Sequence, residues 1–146
     1  MNIKIKRLTD TAKIPTRGDI GAAGYDLYAD NKGAVAMIRP HETVKIGTGL
    51  ALELPHGYFG AIVARSGLAT KRGLAPANKF GVCDESYRGE YIVALYNQSD
   101  TVQRIEPGER IAQLIVLPYQ VLDFEEVSEL SETERGDGGF GSTGTK

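Results

Sequence analysis

Two acids stand side by side in Gly81-Val82-Cys83-Asp84-Glu85-Ser86-Tyr87-Arg88-Gly89, between glycines and just before a tyrosine. In extended backbone Asp84 and Ser86 point one way and Glu85 the other, so at most one carboxylate enters a given site. An aspartate fixed beside a phosphate can hold or deprotonate a water, and Tyr87 can pack on a sugar or base. The same residues also suit a polar turn with an edge tyrosine. Arg65-Ser66-Gly67 follows an apolar segment. Successive N–H groups on small residues, a hydroxyl and a guanidinium would make an anion site; a helix N-cap with a solvated arginine is the plainer alternative. From Gly136 to Lys146, five of eleven residues are glycine. Arg135 adds a forked cation, Ser142 and Thr143 add hydroxyl donors, Gly141 and its neighbours admit close backbone approach, and Phe140 offers a flat face. That set fits a triphosphate clamp, although a frayed terminus has the same composition. It is not a Walker loop, because Gly-x-x-x-x-Gly-Lys-Ser/Thr between strand and helix is absent.

Other reactive residue types have no partners in the sequence. His41 and His56 lie beside turn prolines with no His-x-x-x-His or cysteine companion, which argues against zinc. Cys83 is the only cysteine, so no disulfide framework exists and a reducing compartment is expected. Its setting is apolar, and it reads as core filler.

The elements that must position these residues are strands. Ile3 and Ile5 alternate with lysines, Val44 and Ile46 flank Lys45, and Leu50, Leu52 and Leu54 share one face. Ala34–Ile38, Tyr58–Ala64, Glu90–Tyr96, Thr101–Ile105, Ile111–Leu117 and Val121–Val127 read similarly, with turn residues between them. About ten short strands result. Only Ser66 to Gly73 offers a helix, of two turns at most. An all-β fold is expected: an antiparallel sandwich, jelly roll or barrel spanning residues 1–135, followed by a glycine-rich tail over 136–146.

The chain has 146 residues, 41% of them hydrophobic, and a net charge of −2. That balance excludes a strongly basic nucleic-acid binder and a disordered acidic chain. The first residues alternate charge and apolar types, and no run approaches ~20 apolar residues, so neither a leader nor membrane insertion is expected. A cytoplasmic location follows as the expectation. A nucleoside triphosphate would bring roughly four negative charges to this chain, so compensation must be local.

Five segments in order resemble the motifs of the homotrimeric deoxyuridine triphosphatases (dUTPases). They are Ala22-Ala23-Gly24-Tyr25-Asp26-Leu27, Ala64 to Ala69, Gly81 to Gly89, Gly108-Glu109-Arg110-Ile111-Ala112-Gln113-Leu114, and Arg135 to Gly144. The resemblance implies a jelly-roll-like subunit, a homotrimer with active sites between subunits, and Mg²⁺-dependent hydrolysis of dUTP to dUMP and pyrophosphate. By that resemblance Asp84 activates the water, while Tyr87 packs under the deoxyribose and rejects ribose. Asn78 and the Gly73–Gly81 hairpin, Gly81 included, read uracil. Asp26 holds the metal through water, and Gln113 contacts the α-phosphate region. Ser66, Gly67 and Arg65 hold the phosphate chain, Arg135, Ser142 and Thr143 bind the γ-phosphate, and Phe140 covers the base. Ser86 departs from the pattern, where an acid is usual, and Cys83 stands where Ile or Leu is usual. Two alternatives share features of this reading: a dCTP deaminase of the same fold, for which no glutamate base is found in a matching context, and a nucleotide-sensing regulatory protein.

Overall fold

The computed structural model describes residues 2–139. Every strand pairing in it is antiparallel, and short elements distribute over four sheets. β1 (Lys4–Arg7) pairs with β6 (Leu50–Glu53), setting Ile5 opposite Leu52. β10 (Ile92–Asn97) lies between β5 (Thr43–Gly47) and β8 (Leu74–Pro76), and β4 (Ala36–Ile38) pairs with β11 (Gln103–Ile105). The largest sheet has the order β2-β3-β12-β7-β9, from Thr16–Arg17, Tyr25–Tyr28, Arg110–Pro118, Tyr58–Val63 and Phe80–Cys83. One helix, α1 (Ser66–Arg72), follows β7 and ends at Gly73, whose φ of 67° is the left-handed cap that glycine adopts without strain.

Alternation is clearest in β10. In β10, Val93, Leu95 and Asn97 are buried while the residues between are more exposed. β12 breaks the rule at its start, where a bulge between Arg110 and Ala112 lets both Ile111 and Ala112 face inward. Leu27, Ile38, Leu50, Leu74, Leu95, Ile105 and Ile111 form one continuous core under the sheets. Asn97 is 0% exposed, yet its amide donates to the carbonyls of Ile38, Arg39 and Thr101 and accepts from Ser99. It therefore closes one end of β10 with its polar groups satisfied.

Two expectations need correction. Val121–Val127 is not a strand: its side chains are exposed, Phe124 at 94%, and no neighbouring strand offers it a ladder. Alternation alone cannot supply a partner. The Gly73–Gly81 segment is also not a paired hairpin, because β8 joins β10 while β9 joins β7. The turn at Ala77–Lys79 is a corner carrying the chain between two sheets. β2, β3, β8 and β9 arise where the sequence showed no clean alternation; β8 is buried at all three positions, and β3 buries Asp26 and Leu27 in succession. The regular body ends at Pro118, and residues 120–139 run on without strand or helix, nearly all exposed.

Candidate active site

The corner between β8 and β9 and the turn after β9 enclose a pocket of ≈ 220 Å³ that brings together Asn78, Gly81, Asp84 and Tyr87. Two glycines leave room for these side chains, Gly81 in the pocket and Gly89 just beyond it. A Cβ on Gly81 would lie 2.9 Å from the Asn78 amide nitrogen, and one on Gly89 would lie 2.6–2.9 Å from Tyr87 ring carbons. Tyr87 is further fixed by its hydroxyl, which donates to the Glu90 carbonyl at 3.0 Å, and by the Tyr91 ring 6.1 Å away. Tyr91 is buried beside Cys83, with no hydrogen-bond partner for its hydroxyl among the described residues. Burial raises its pKa, and burial likewise raises that of the half-buried Cys83 thiol. Cys83 packs against the core, as its apolar setting suggested.

Of the adjacent acids, only Asp84 lines this pocket. Glu85 turns onto the β6–β7 turn, where its carboxylate accepts the Gly57 N–H at 2.6 Å and meets His56 Nδ1 at 2.9 Å. Those contacts, the His56 one foremost, hold its pKa below the ordinary glutamate value. Ser86 lies with Asp84, Glu85, Phe59 and Tyr119 along an adjoining cleft of ≈ 520 Å³, so both acids border that cleft while Asp84 alone of the two lines the Tyr87 pocket.

A second cluster forms around Asp26. This side chain is 4% exposed and takes Arg65 Nε on Oδ1 at 2.7 Å and an Arg110 nitrogen on Oδ2 at 3.2 Å. Ladder register places Gln113 beside Asp26 on one side and Val63 on the other, two residues before Arg65. Gly24 admits the Gln113 side chain, which a Cβ there would meet at 3.2 Å. Arg65 is thus an ion-paired residue and not the solvated arginine of the plainer alternative, and α1 carries no side-chain cap. Ser66 and Gly67 are exposed at its start, and Arg65, Gly67, Lys71, Arg72 and Arg110 line a basic cavity of ≈ 410 Å³. Arg110 went unremarked in the sequence, where only its place in the Gly108–Leu114 segment could have flagged it.

Metal ligation has a narrow basis here. Among the described residues no group of three or more His, Cys, Asp or Glu could hold an ion. Both Asp26 oxygens have arginine partners, though each keeps a further lone pair for a water. The donor set suits Mg²⁺ carried on phosphate oxygens with retained waters, and not an all-protein cage.

The two clusters stand apart along the sheet. Cys83 is level with Gly60 on β7, whereas Gln113 is level with Val63 and Arg65 lies beyond it. The three positions from Gly60 to Val63 span about 10 Å at ~3.3 Å per residue, and β7 separates the two flanking strands β9 and β12. Arg135 is elsewhere again, exposed and donating from Nε to the Gly138 carbonyl at 2.9 Å. Phe140, Gly141, Ser142 and Thr143 lie outside the described residues.

The dUTPase family model matches residues 10–144. The chain belongs to the dUTPase family. A deoxyuridine 5'-triphosphate nucleotidohydrolase from Hydrogenobaculum is 47% identical over the full length of both chains. One from Desulfitobacterium hafniense is 49% identical, covering 98% of this chain and 97% of the relative. Among solved structures, the dUTPase of Staphylococcus bacteriophage 80alpha with dUPNHPP superposes with a TM-score of 0.88 at 30% identity, covering 98% of each chain. The nearly all-β antiparallel architecture is that of this family.

Proposed function

We propose that this chain is a dUTP diphosphatase acting as a homotrimer, converting dUTP to dUMP and pyrophosphate with Mg²⁺ by attack of water on the α-phosphorus. The observation that carries the reading is the pocket uniting Asn78, Gly81, Asp84 and Tyr87 in a chain of the dUTPase family. The 80alpha enzyme, solved with dUPNHPP, supports a deoxyuridine nucleotide as the ligand class. In this reading Tyr87, braced by Tyr91 and Glu90, packs against deoxyribose and leaves no room for a 2′-hydroxyl. Asn78, at the corner, reads the uracil edge. Rejecting ribose sterically and cytosine by a mispaired hydrogen-bond pattern uses the more discriminating forms of mismatch.

Asp84 takes a proton from the attacking water. The water oxygen forms the new bond to the α-phosphorus, the bond to the α–β bridging oxygen breaks, and pyrophosphate leaves with that electron pair. No nucleophilic side chain is needed. Arg65, Arg110 and Gln113 neutralise and orient the α-phosphate region, and Ser66 and Gly67 receive the phosphate chain. Asp26 keeps the two guanidiniums in place and would hold the metal through water. Bound Mg²⁺ would supply charge neutralisation on the phosphates. Arg135, Ser142 and Thr143 take the γ-phosphate, Gly141 allows close approach, and Phe140 covers the base. The protein works in the cytoplasm and binds no nucleic acid or membrane.

Incubation with dUTP in ¹⁸O-labelled water tests the reaction. Label is expected in dUMP; label in pyrophosphate contradicts attack at the α-phosphorus. Parallel incubation with dCTP is expected to release no ammonia, which separates this reading from the deaminase.

A further inference from the structure

The sheet does not hold Asp84. β9 ends at Cys83, so the backbone carrying the carboxylate has left the ladder, and within its own turn the Tyr87 N–H donates to the Asp84 carbonyl at 3.1 Å. The next residue supplies the missing anchor. Glu85 accepts the Gly57 N–H on one oxygen and faces His56 Nδ1 with the other. Gly57, at φ 79°, returns its own carbonyl to the Tyr119 N–H at 3.0 Å, and the Tyr119 phenol adjoins the same carboxylate. Three segments distant in sequence, the β6–β7 turn, the turn after β9 and the exit from β12, therefore meet at one side chain. Arg88 adds a bond from its guanidinium to the Glu85 carbonyl at 2.5 Å.

We infer that Glu85 is a positioning residue for the hydrolysis: it touches no substrate, and by clasping the His56–Gly57 turn and Tyr119 it fixes the backbone that aims Asp84. The inference rests on the dUTPase reading above. The adjacent acids then divide two tasks, with Asp84 lining the Tyr87 pocket and Glu85 holding the frame from the adjoining cleft. Near-attack geometry is intolerant of displacement: a shift of about 1 Å at a reacting group can slow turnover up to ~100-fold.

The test uses the full-length protein and steady-state hydrolysis of dUTP. E85A is expected to lower kcat about tenfold while KM stays within about twofold, since the pocket that receives the nucleoside is unchanged. E85Q keeps an oxygen for the Gly57 N–H and an amide for His56, so it is expected to return kcat to within about threefold of the parent. His56 is exposed, so H56A leaves the core intact; it is expected to lower kcat by about twofold to threefold and to add nothing to E85A, because both act through one contact. An E85A protein with the parent's kcat, a loss lying wholly in KM, or an E85Q as slow as E85A overturns the inference. If E85A fails to fold by circular dichroism, an unchanged kcat in H56A overturns it. A parent protein that releases no dUMP from dUTP refutes the dUTPase reading instead.

Discussion

At the scale of single residues, the chemistry rests on which carboxylate is free to act. Asp26 is closed in by two arginines, Glu85 by a turn, and Asp84 alone is exposed in the pocket beside Tyr87. Asp84→Asn preserves shape and removes basicity, so kcat should fall by about 10²- to 10⁴-fold while the Kd for dUTP, measured by calorimetry with Mg²⁺, moves by less than about threefold. Turnover near the parent's would remove Asp84 from its role. Asp84 and Tyr87 were legible from their own residue types, whereas Asn78 and Gly81 came only from the family resemblance; all four meet because they fall within one short stretch, where a strand and two turns fix their relation. The Asp26–Arg110 contact was not legible: the partners are 84 positions apart, and only the β3–β12 ladder brings them together. Asp26 was expected as a metal-water ligand, and the structure adds a task no spacing could suggest, orienting two guanidiniums.

At the scale of elements, a period-two pattern revealed strands that have one wetter face and one drier face, such as β5 and β10, and also β6, whose second face proves to be covered as well. It failed for β8, buried at every position, and it invented a strand at Val121–Val127, because exposure pattern says nothing about whether a neighbour exists to pair with. The site inherits both limits. Asn78 was expected on a hairpin and sits on a corner between sheets, a distinction set by partners far away in sequence. Residues 120–139 after β12 contribute no core, so deleting Gly136–Lys146 should leave the melting temperature within about 2 °C while slowing hydrolysis about tenfold or more. Full activity in the truncated protein would end the clamp role for the tail. The Glu85 clasp predicts a pH effect with a definite sign. Its folded pKa lies below the ordinary value of 4.5, through His56 first and then the Gly57 N–H and Tyr119. The stabilisation is therefore complete above the unfolded value and disappears as pH falls through the folded one. In melts from about pH 6 to about pH 3, the parent should lose melting temperature faster than E85Q, which has no charge to titrate. Parallel curves would show that the contact does not contribute to stability.

At the scale of the whole molecule, the separation of clusters decides how a site can be built. The Asp84 pocket and the Asp26–Arg65–Gln113 cluster lie on opposite sides of β7, which runs between β9 and β12, with Cys83 level with Gly60 and Gln113 level with Val63, three positions or about 10 Å along the strand. One α-phosphorus lying against Asp84 of a chain is poorly placed to meet Gln113 of the same chain, and a site shared between subunits removes the difficulty. Val121, Leu122, Phe124 and Leu130 also stand exposed on the segment beyond β12, apolar surface of the kind that assembly covers. Subunit mixing turns this into a measurement. Asp84→Asn and Gln113→Ala proteins, each slow on its own, are unfolded together in equal amounts and refolded. If every site takes Asp84 from one subunit and Gln113 from another, random assembly into closed trimers gives about one quarter of sites with both groups intact, and about that fraction of parent activity should return. If both groups come from one chain, no mixed trimer contains an intact site, and activity stays at the level of the separate variants.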